Sequence, residues 1–490
     1  YMLQAEYQTI KCGRETRAET GAFAEAALKP RYEVKKSISV SADAFVVATE
    51  NKDGVTAARA QVAFSFAYLS EDGFKKAECV TEVRGELPIE NAFVTVRADN
   101  ARVTRVGDDY SAKCSVTFIG EGSSTDEYAA VVGGNGLIVK ETVLCADESA
   151  GVAADEFTVT DEFEIPYFVS EILSRSQCVR VKSVESGVSR IIVSGEVVTE
   201  LKTLSADGDE FTSERRVTAF RCEAACVGAL PDMKARGGAV VKRANYKAYS
   251  DETKNKSSVS AEIVLSVYGE AISEREIPLV TDAYSLTDEI TLTREEFSVE
   301  KFDEEIYKED RVVFASSVAA PDGARIIGAL GERLTVFNVE KTENGIAING
   351  SVRADVAFRN ADNGVSCEQV EAPFSTEIND CKDARVTSVV LCGLNARIRN
   401  GAIELEYSAG VRYRRYTVEK TERVSRAESV GERKKNECAI SVYIPQRGDE
   451  SWDIAKRLGL TESEIAALNP DLNFPLGGDE RILVYRKKTV

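Results

Sequence analysis

The chain has 490 residues, of which 62 are Lys or Arg and 81 are Asp or Glu, so its formal net charge is −19. A surface of this sign repels phosphate backbones, and we therefore expect no nucleic acid among the partners. The sequence contains no histidine, which excludes Ser-His-Asp triads, Cys-His dyads, histidine-ligated zinc and acid–base catalysis by histidine.

Apolar residues alternate with polar or small ones along much of the chain. The pattern is clearest at residues 62–68, 259–267 and 403–409. A period of two residues predicts half-buried antiparallel strands, and turn pairs such as Asp72-Gly73 separate them. The predicted fold class is mainly β, with tandem antiparallel β-sandwich-like repeats followed by a small α+β (βααβ) module.

Three landmarks indicate an internal repeat. Alanine precedes glycine by eight positions at 112/120, 261/269 and 402/410, and an apolar strand runs into a turn upstream of each pair, at Gly73, Gly208 and Gly364. The longer middle gap predicts an inserted polar loop at 232–257. A third landmark relates Phe163 to Phe297 with an offset of 134, and the residues that follow at 171–173 fit either a short helix or a strand edge.

The repeats predict three β domains at residues 1–133, 134–292 and 293–432, of which the first is the most divergent. A further small domain is predicted at 437–488. The charged stretch 419–435 lies between the third and fourth domains. We interpret it as a solvated linker or a fraying strand end, and the alternative is a basic contact patch.

Eleven cysteines are spread along the chain without the paired spacing of a metal or redox site. They stand at positions 12, 79, 114, 145, 178, 222, 226, 367, 381, 392 and 438. No C-x-x-C occurs, and several cysteines lie in alternating apolar segments, where a free thiol acts as a small hydrophobe. We predict eleven unpaired thiols and no metal or cofactor, which favours a reducing compartment.

No segment reaches the roughly 18 apolar residues of a membrane helix. No basic region followed by an apolar run opens the chain. We therefore expect a chain without a signal peptide that is not an integral membrane protein.

The pattern changes after residue 437. A strand at 439–444 is followed by a turn at 447–449 and by a helix at 452–458, which Ser451 or Asp449 can cap and Gly459 ends. A capping box at 461–464 opens a second helix, and Asn469-Pro470 stops it. Residues 481–485 form a closing strand.

This segment resembles the LysM module. The matching residues are Tyr443, Gly448, Asp449, Trp452, Ile454, Ala455, Gly459, Ile465, Asn469, Gly478 and Ile482. LysM modules typically bind N-acetylglucosamine polymers in a shallow groove between the first strand–helix loop and the second helix–strand loop. The resemblance places that groove at Gly448, Asp449, Glu450, Ser451 and the segment 469–475, which includes Asn469 and Pro470. The sequence departs from the family at Glu450, where a neutral hydroxyl is common.

The β repeats resemble SPOCS domains. The resemblance rests on an opening at 163–166, central V-x-G-x-V strands at 193–197 and 348–352, and a close at 278–286. Tandem SPOCS domains followed by one LysM are the layout of the SipL-like spore-coat morphogenetic proteins of clostridia. The resemblance implies a non-enzymatic protein of the mother-cell cytoplasm, located at the forespore surface and spore coat. The resemblance further implies that the LysM module contacts a coat-basement ATPase of the SpoIVA type.

Two other functions are weighed against this adaptor. For the adaptor, Trp452, Lys456 and Arg457 are the candidate contact residues, because an aromatic side chain with flanking cations is a common hot-spot composition. The alternative is a peptidoglycan-binding protein anchored through its LysM groove. In both cases Trp452 and Ile454 can instead be simple core residues. A two-carboxylate glycosidase lacks a diagnostic acid pair, so we predict no enzyme.

Overall fold

The computed structural model describes residues 4–107, 109–205, 210–251, 253, 256–379, 381, 383–434 and 440–485. The first eighteen strands within these ranges fall into three successive sets of six, which we call units 1, 2 and 3. Unit 1 contains β1 (Gln4–Leu28), β2 (Lys36–Lys52), β3 (Val55–Ser70), β4 (Gly73–Leu87), β5 (Phe93–Val106) and β6 (Asp109–Asn135). Unit 2 contains β7 (Ile138–Ile165), β8 (Val169–Gly187), β9 (Arg190–Ser205), β10 (Phe211–Ala225), β11 (Lys234–Asp251) and β12 (Lys256–Tyr284). Unit 3 contains β13 (Asp288–Ala319), β14 (Arg325–Lys341), β15 (Gly345–Arg359), β16 (Val365–Asn379), β17 (Arg385–Arg399) and β18 (Ala402–Glu432).

Each unit is built from two three-stranded antiparallel sheets. In unit 1, β6 lies between β1 and β5, and β3 lies between β2 and β4. Units 2 and 3 repeat this order strand for strand. The second and fifth strands approach each other at one side of each unit, and the first and fourth at the other. The predicted mainly β, antiparallel fold is confirmed.

Each unit has a hydrophobic core formed by the residues that its two sheets turn inward. In β3, Val62, Phe64, Phe66 and Tyr68 are buried, while Gln61 on the same strand is exposed. Burying one such side chain contributes about 1.5–3 kcal/mol. Alternation in the sequence thus translates directly into a sandwich core.

The third strands of units 2 and 3 share a glycine with the same surroundings. Gly195 pairs with Phe220, and Gly350 pairs with Phe374. A Cβ atom at either glycine would lie 2.2 Å from a carbonyl oxygen of the neighbouring second strand, which is closer than any side chain tolerates. The two V-x-G-x-V segments therefore occupy equivalent places in the fold.

The first and sixth strands of each unit continue beyond the sandwich as a long two-stranded ribbon. In unit 2, for example, β7 and β12 stay paired as far as Ile138 and Tyr284, although β11 pairs with β12 only up to Ile272. The three ribbons pack together around a shared apolar core. Its residues are Ile10, Cys12, Ala130, Ala146, Ile277, Leu279, Phe297 and Val299. A second layer contains Val131, Val280, Ala283, Val424 and Ala427.

An ion network joins the three units where their sandwiches meet. The buried guanidinium of Arg414 lies 3.2 Å from Glu121 and 3.1 Å from Glu305, and it also contacts Glu15. Arg236 brings in unit 2 through an ion pair of 3.3 Å to Glu15. Burial opposes ionisation of Glu15, but the two arginines outweigh it and lower the pKa of that carboxyl.

A disulfide links Cys178 of β8 to Cys392 of β17. The prediction of eleven unpaired thiols is wrong for these two residues, because the fold brings together strands that lie 214 positions apart in sequence. The eight other cysteines in the described ranges are free, and burial raises the pKa of the Cys114 and Cys222 thiols to about 11. Cys438 lies outside the described residues.

Two polar segments that the sequence assigns to loops or linkers are strands. The stretch 232–257 contains β11, in which Ala239, Ala244 and Tyr246 are buried, the last two of them between polar neighbours. The charged stretch 419–435 continues β18 as far as Glu432 and pairs with β13. Its Arg423 is buried and contacts Glu295. The charged residues of this stretch therefore belong to a half-buried two-stranded ribbon.

Only some of the repeat landmarks mark equivalent positions in the three units. Gly73 and Gly364 lie at equivalent hairpins between the third and fourth strands, whereas Gly208 lies outside the described residues. Phe163 stands near the end of β7 and Phe297 near the start of β13, so the offset of 134 does not relate equivalent positions. Residues 171–173 belong to β8.

Two short turns connect the units. They lie at 136–137 and 285–287, so the predicted boundaries 133/134 and 292/293 fall inside β6 and β13. Among the described residues, no helix has the length and apolar character needed to cross a membrane.

Candidate functional site

The C-terminal segment contains two short strands and two short helices in the order βααβ. They are β19 (Ile440–Tyr443), α1 (Ser451–Leu458), α2 (Glu462–Leu468) and β20 (Ile482–Tyr485), and β19 pairs antiparallel with β20. The predicted capping box of α2 is present, since the Glu464 backbone N–H donates to Thr461 Oγ1 at 3.2 Å and the Thr461 N–H donates to Glu464 Oε2 at 2.7 Å. The N-cap of α1 is Glu450, not the predicted Ser451 or Asp449. Gly459 ends α1 in the left-handed region, at φ 66°.

Trp452 and Ile454 lie in the core of this segment. Trp452 is 6% exposed and Ile454 is fully buried, and they pack with Ala455, Ile465 and Ile482. The same cluster includes Tyr284, Ile138 and Leu286 of the β units. The segment therefore shares its core with the end of the unit 2 ribbon.

Asp282 of β12 is the polar centre of this contact. Its carboxylate accepts a hydrogen bond of 2.8 Å from the Trp452 indole N–H, and both its oxygens accept from Lys456 Nζ at 2.6 and 2.7 Å. Burial opposes ionisation of Asp282, but the hydrogen bonds from Lys456 and Trp452 outweigh it and lower the pKa of the carboxyl. Two of the three predicted contact residues, Trp452 and Lys456, are thus engaged within the chain.

Aromatic and backbone contacts complete the attachment. The Tyr284 ring meets Trp452 edge-on with centroids 4.9 Å apart, and its hydroxyl donates to the Leu460 carbonyl at 2.8 Å. Arg433 donates to the Ser285 carbonyl at 2.8 Å and to the Arg457 carbonyl at 3.1 Å. Since the Arg457 carbonyl lies at the C-terminal end of α1, the cation also complements the helix dipole.

The two loops of the predicted groove come together. The Gly448 N–H donates to the Leu476 carbonyl at 2.8 Å, and the Leu476 N–H donates to the Asp449 carbonyl at 3.0 Å. Asp449 is buried and accepts 2.8 Å from the Gln446 N–H. Gly448, Glu450 and Pro470 are exposed at the surface, so the backbone of both loops is held while these positions face solvent.

The remaining predicted site residues mostly serve the segment itself. Asn469 joins α2 to β20, donating 2.9 Å to the Leu483 carbonyl and accepting 2.7 Å from its N–H. Ser451 contacts Glu462, and Glu450 forms an ion pair of 3.3 Å with Lys140 of β7. Arg457 is exposed, contacts the Tyr443 hydroxyl and lies 3.3 Å from Asp449.

A surface that the sequence analysis missed lies on the outer face of the β19–β20 sheet. Its apolar side chains are 43–66% exposed: Ile440, Val442, Leu483 and Tyr485 on the two strands, and Ile444 directly after β19. Val442 pairs with Leu483 and Ile440 with Tyr485, so the side chains stand side by side. Alternation is the signal that could have revealed it, because Ile482 and Val484 on the same strand are buried. We call these five residues the outer face.

Comparisons with known proteins leave the site to be interpreted from its own geometry. No family model, curated protein or solved structure matches the chain. Within the described residues, no group of three or more Cys, Asp or Glu side chains is placed to hold a metal ion.

Proposed function

We propose that the chain is a non-enzymatic assembly adaptor of the SipL-like kind, acting in the mother-cell cytoplasm at the forespore surface and spore coat. In this proposal units 1–3 are SPOCS-type domains and residues 440–485 are a LysM-type module. The equivalent glycines Gly195 and Gly350 support the first assignment, and the order βααβ with joined groove loops supports the second.

The outer face is the observation that carries the adaptor proposal. Five exposed apolar side chains on one small sheet form a contiguous patch, and such patches mark protein contact sites. The opposite side of the module is occupied, since Asp282 binds Trp452 and Lys456. The module is thus held with its apolar strands turned outward, an orientation suited to contact with a coat-basement ATPase of the SpoIVA type.

A pull-down with the full chain tests this contact. The bait is the wild-type chain or the variant Val442→Glu/Leu483→Glu, and the prey is the purified ATPase. We expect the double variant to lose capture, because two carboxylates would be buried without partners at the interface. Val80→Glu, which charges a residue of unit 1 that is 55% exposed, is the matched control and keeps capture. Equal capture by all three baits would remove the outer face from the proposal.

Peptidoglycan binding is the second candidate function, and the joined loops favour it. Gly448 and Pro470 are exposed beside a fixed backbone, and the ion pair with Lys140 offsets the charge of Glu450. Retention of the full chain on insoluble peptidoglycan, lost in Gly448→Trp and kept in Val442→Glu/Leu483→Glu, would establish it. If the wild-type chain is not retained on peptidoglycan, glycan binding is excluded and the adaptor proposal stands.

A further inference from the structure

A cavity of about 780 Å³ opens where the three units meet. Its wall is formed mainly by the second and fifth strands of every unit: β2, β5, β8, β11, β14 and β17. A second cavity of about 740 Å³ lies between units 1 and 2. Ala44, Phe45, Val96, Val240 and Val241 line both, so the two cavities adjoin. Each has the size of a small-molecule site.

The wall of these cavities contains both polar and apolar surface, in nearly equal shares in the first cavity and with more apolar surface in the second. Besides the shared residues, Ile119, Val179 and Leu334 line the first cavity. In the second, Phe93 stacks on Tyr268 with ring centroids 3.7 Å apart. An alkyl chain that entered here would remove apolar surface from water on both partners, which favours binding.

Most charged side chains at the wall of the first cavity are paired within the protein. The pairs are Arg17–Glu19 at 2.9 Å, Arg97–Asp99 at 2.6 Å, Arg412–Glu305 at 2.9 Å, Lys202–Glu332 at 2.9 Å, Lys202–Glu200 at 2.5 Å and Arg414–Glu121 at 3.2 Å. Asp43 and Arg333 are the exceptions. Neither forms a hydrogen bond or an ion pair with any residue in the described ranges.

Neither charge has a direct ion-pair partner, although opposite charges act on both: Arg175 on Asp43, and Asp99 and Asp355 on Arg333. Asp43 faces Arg175 of β8 and Glu78 of β4 without an ion pair, and burial raises the pKa of its carboxyl to about 6. Arg333 stands opposite Arg353 in the pairing of β14 with β15, and burial together with Arg353 lowers the pKa of its guanidinium. A half-buried charge without a direct partner is unfavourable, and a ligand of opposite charge relieves it.

We propose that the adjoining cavities bind a zwitterionic amphiphile, a molecule with an apolar chain, a cationic nitrogen and a phosphate or carboxylate group. The cationic nitrogen pairs with Asp43, and the anionic group pairs with Arg333. The apolar chain lies along the wall that contains Val240 and Val241. This chemistry is shared by phospholipids with one acyl chain and by small free zwitterions, which the test separates by the presence of the chain.

Isothermal titration of the full chain with dodecylphosphocholine, below its micelle-forming concentration, tests the site. We expect saturable binding that weakens at least tenfold in Asp43→Asn and in Arg333→Met. Glu50→Gln is the control, because Glu50 is exposed on the same strand as Asp43 and lies outside both cavities. Phosphocholine without the alkyl chain should bind at least tenfold more weakly.

Four results would overturn the proposal. They are the absence of saturable binding, unchanged affinity in both variants, weakening by only one of them, and phosphocholine binding as tightly as its dodecyl derivative. Asp43→Asn keeps the size of the side chain and is expected to fold. Arg333→Gln replaces Arg333→Met if circular dichroism shows that the latter is unfolded.

Discussion

Asp282 and Trp452 are 170 residues apart in sequence and are joined by a hydrogen bond of 2.8 Å between carboxylate and indole N–H. Lys456 binds the same carboxylate, so one acidic side chain fixes the position of α1 on the unit 2 ribbon. The orientation of residues 440–485 therefore depends on Asp282, a residue that lies outside this segment.

Asp282→Ala should loosen the module without unfolding the three units. The change leaves the indole N–H and the Lys456 ammonium without an acceptor at a partly buried contact, which costs about 1–3 kcal/mol. Hydrogen exchange resolved by peptide is the measurement, and we expect faster exchange in α1 and unchanged exchange in β3. Asp288→Ala, at a half-buried carboxylate at the start of β13, is the control. Unchanged exchange in α1 would show that the apolar contact of Tyr284 with Trp452 is sufficient.

Local sequence patterns predicted the two strands and two helices of residues 440–485, but not their attachment to the β units. The strand, turn, helix and capping signals lie within 50 residues, and all four elements form within the predicted segment. The capping box of α2 is set by neighbouring residues and was read correctly from the sequence, whereas the N-cap of α1 is Glu450 and not the predicted Ser451 or Asp449. The contacts of Trp452 depend on Asp282 and Tyr284, and no local pattern encodes a pairing at that distance.

The same distinction explains the outcome for the repeats. Alternation identified many strands, but the polar appearance of β11 suggested a loop, and that of the end of β18 suggested a solvated linker or a fraying strand end. Each of these strands buries only part of its surface. Charged residues occupy the part of each strand that faces solvent. The disulfide between Cys178 and Cys392 follows from the packing of two units, which spacing in the sequence does not reveal.

Arg414→Met should destabilise the whole three-unit body. The arginine side chain is 3% exposed and faces Glu15, Glu121 and Glu305, so its loss leaves buried carboxylates without their cation. Removing one partner of a buried ion pair costs about 3–5 kcal/mol, which chemical denaturation followed by tryptophan and far-ultraviolet signals would detect.

Lys420→Met is the matched control for the loss of a cation on β18. Lys420 pairs with Glu296 at 2.8 Å, but both side chains are more than half exposed, and solvent screens the interaction. We expect its unfolding midpoint to stay close to that of the wild type. Equal effects of the two substitutions would contradict a structural role for the buried network.

The Cys178–Cys392 bond should make stability depend on reductant. Because it closes a long loop between units 2 and 3, its removal is expected to cost about 2–4 kcal/mol. Thermal unfolding of the wild type should therefore shift downward in dithiothreitol, whereas Cys178→Ala should unfold at the lower temperature with or without it. Alkylation of all eleven cysteines in denaturant without reductant would contradict the bond.

Gly195→Ala should destabilise unit 2. The new Cβ would lie 2.2 Å from a carbonyl oxygen of β8, and forcing the strands apart costs about 1–3 kcal/mol. Gly350→Ala should behave alike, because the same distance occurs there. Gly21→Ala is the control, since nothing lies within 4 Å of its Cβ position, and the unfolding free energy should be unchanged or slightly higher. If alanine at both Gly195 and Gly350 left the unfolding free energy unchanged, the two glycines would not be required by the close approach of the second strand.

Asp43 should make the stability of the ligand-free chain fall as the pH rises. Burial raises the pKa of its carboxyl from 3.8 to about 6. Between these values the unfolded chain loses the proton while the folded chain retains it, so the folded state loses relative stability from about pH 4 upward and the loss is complete above about pH 7. A shift of this size corresponds to about 3 kcal/mol. Asp43→Asn should therefore match the wild type near pH 4 and exceed it by about that amount at pH 8, measured by urea denaturation at each pH. Glu50→Gln should show no such divergence, and parallel curves for Asp43→Asn and the wild type would mean that Arg175 neutralises the carboxylate.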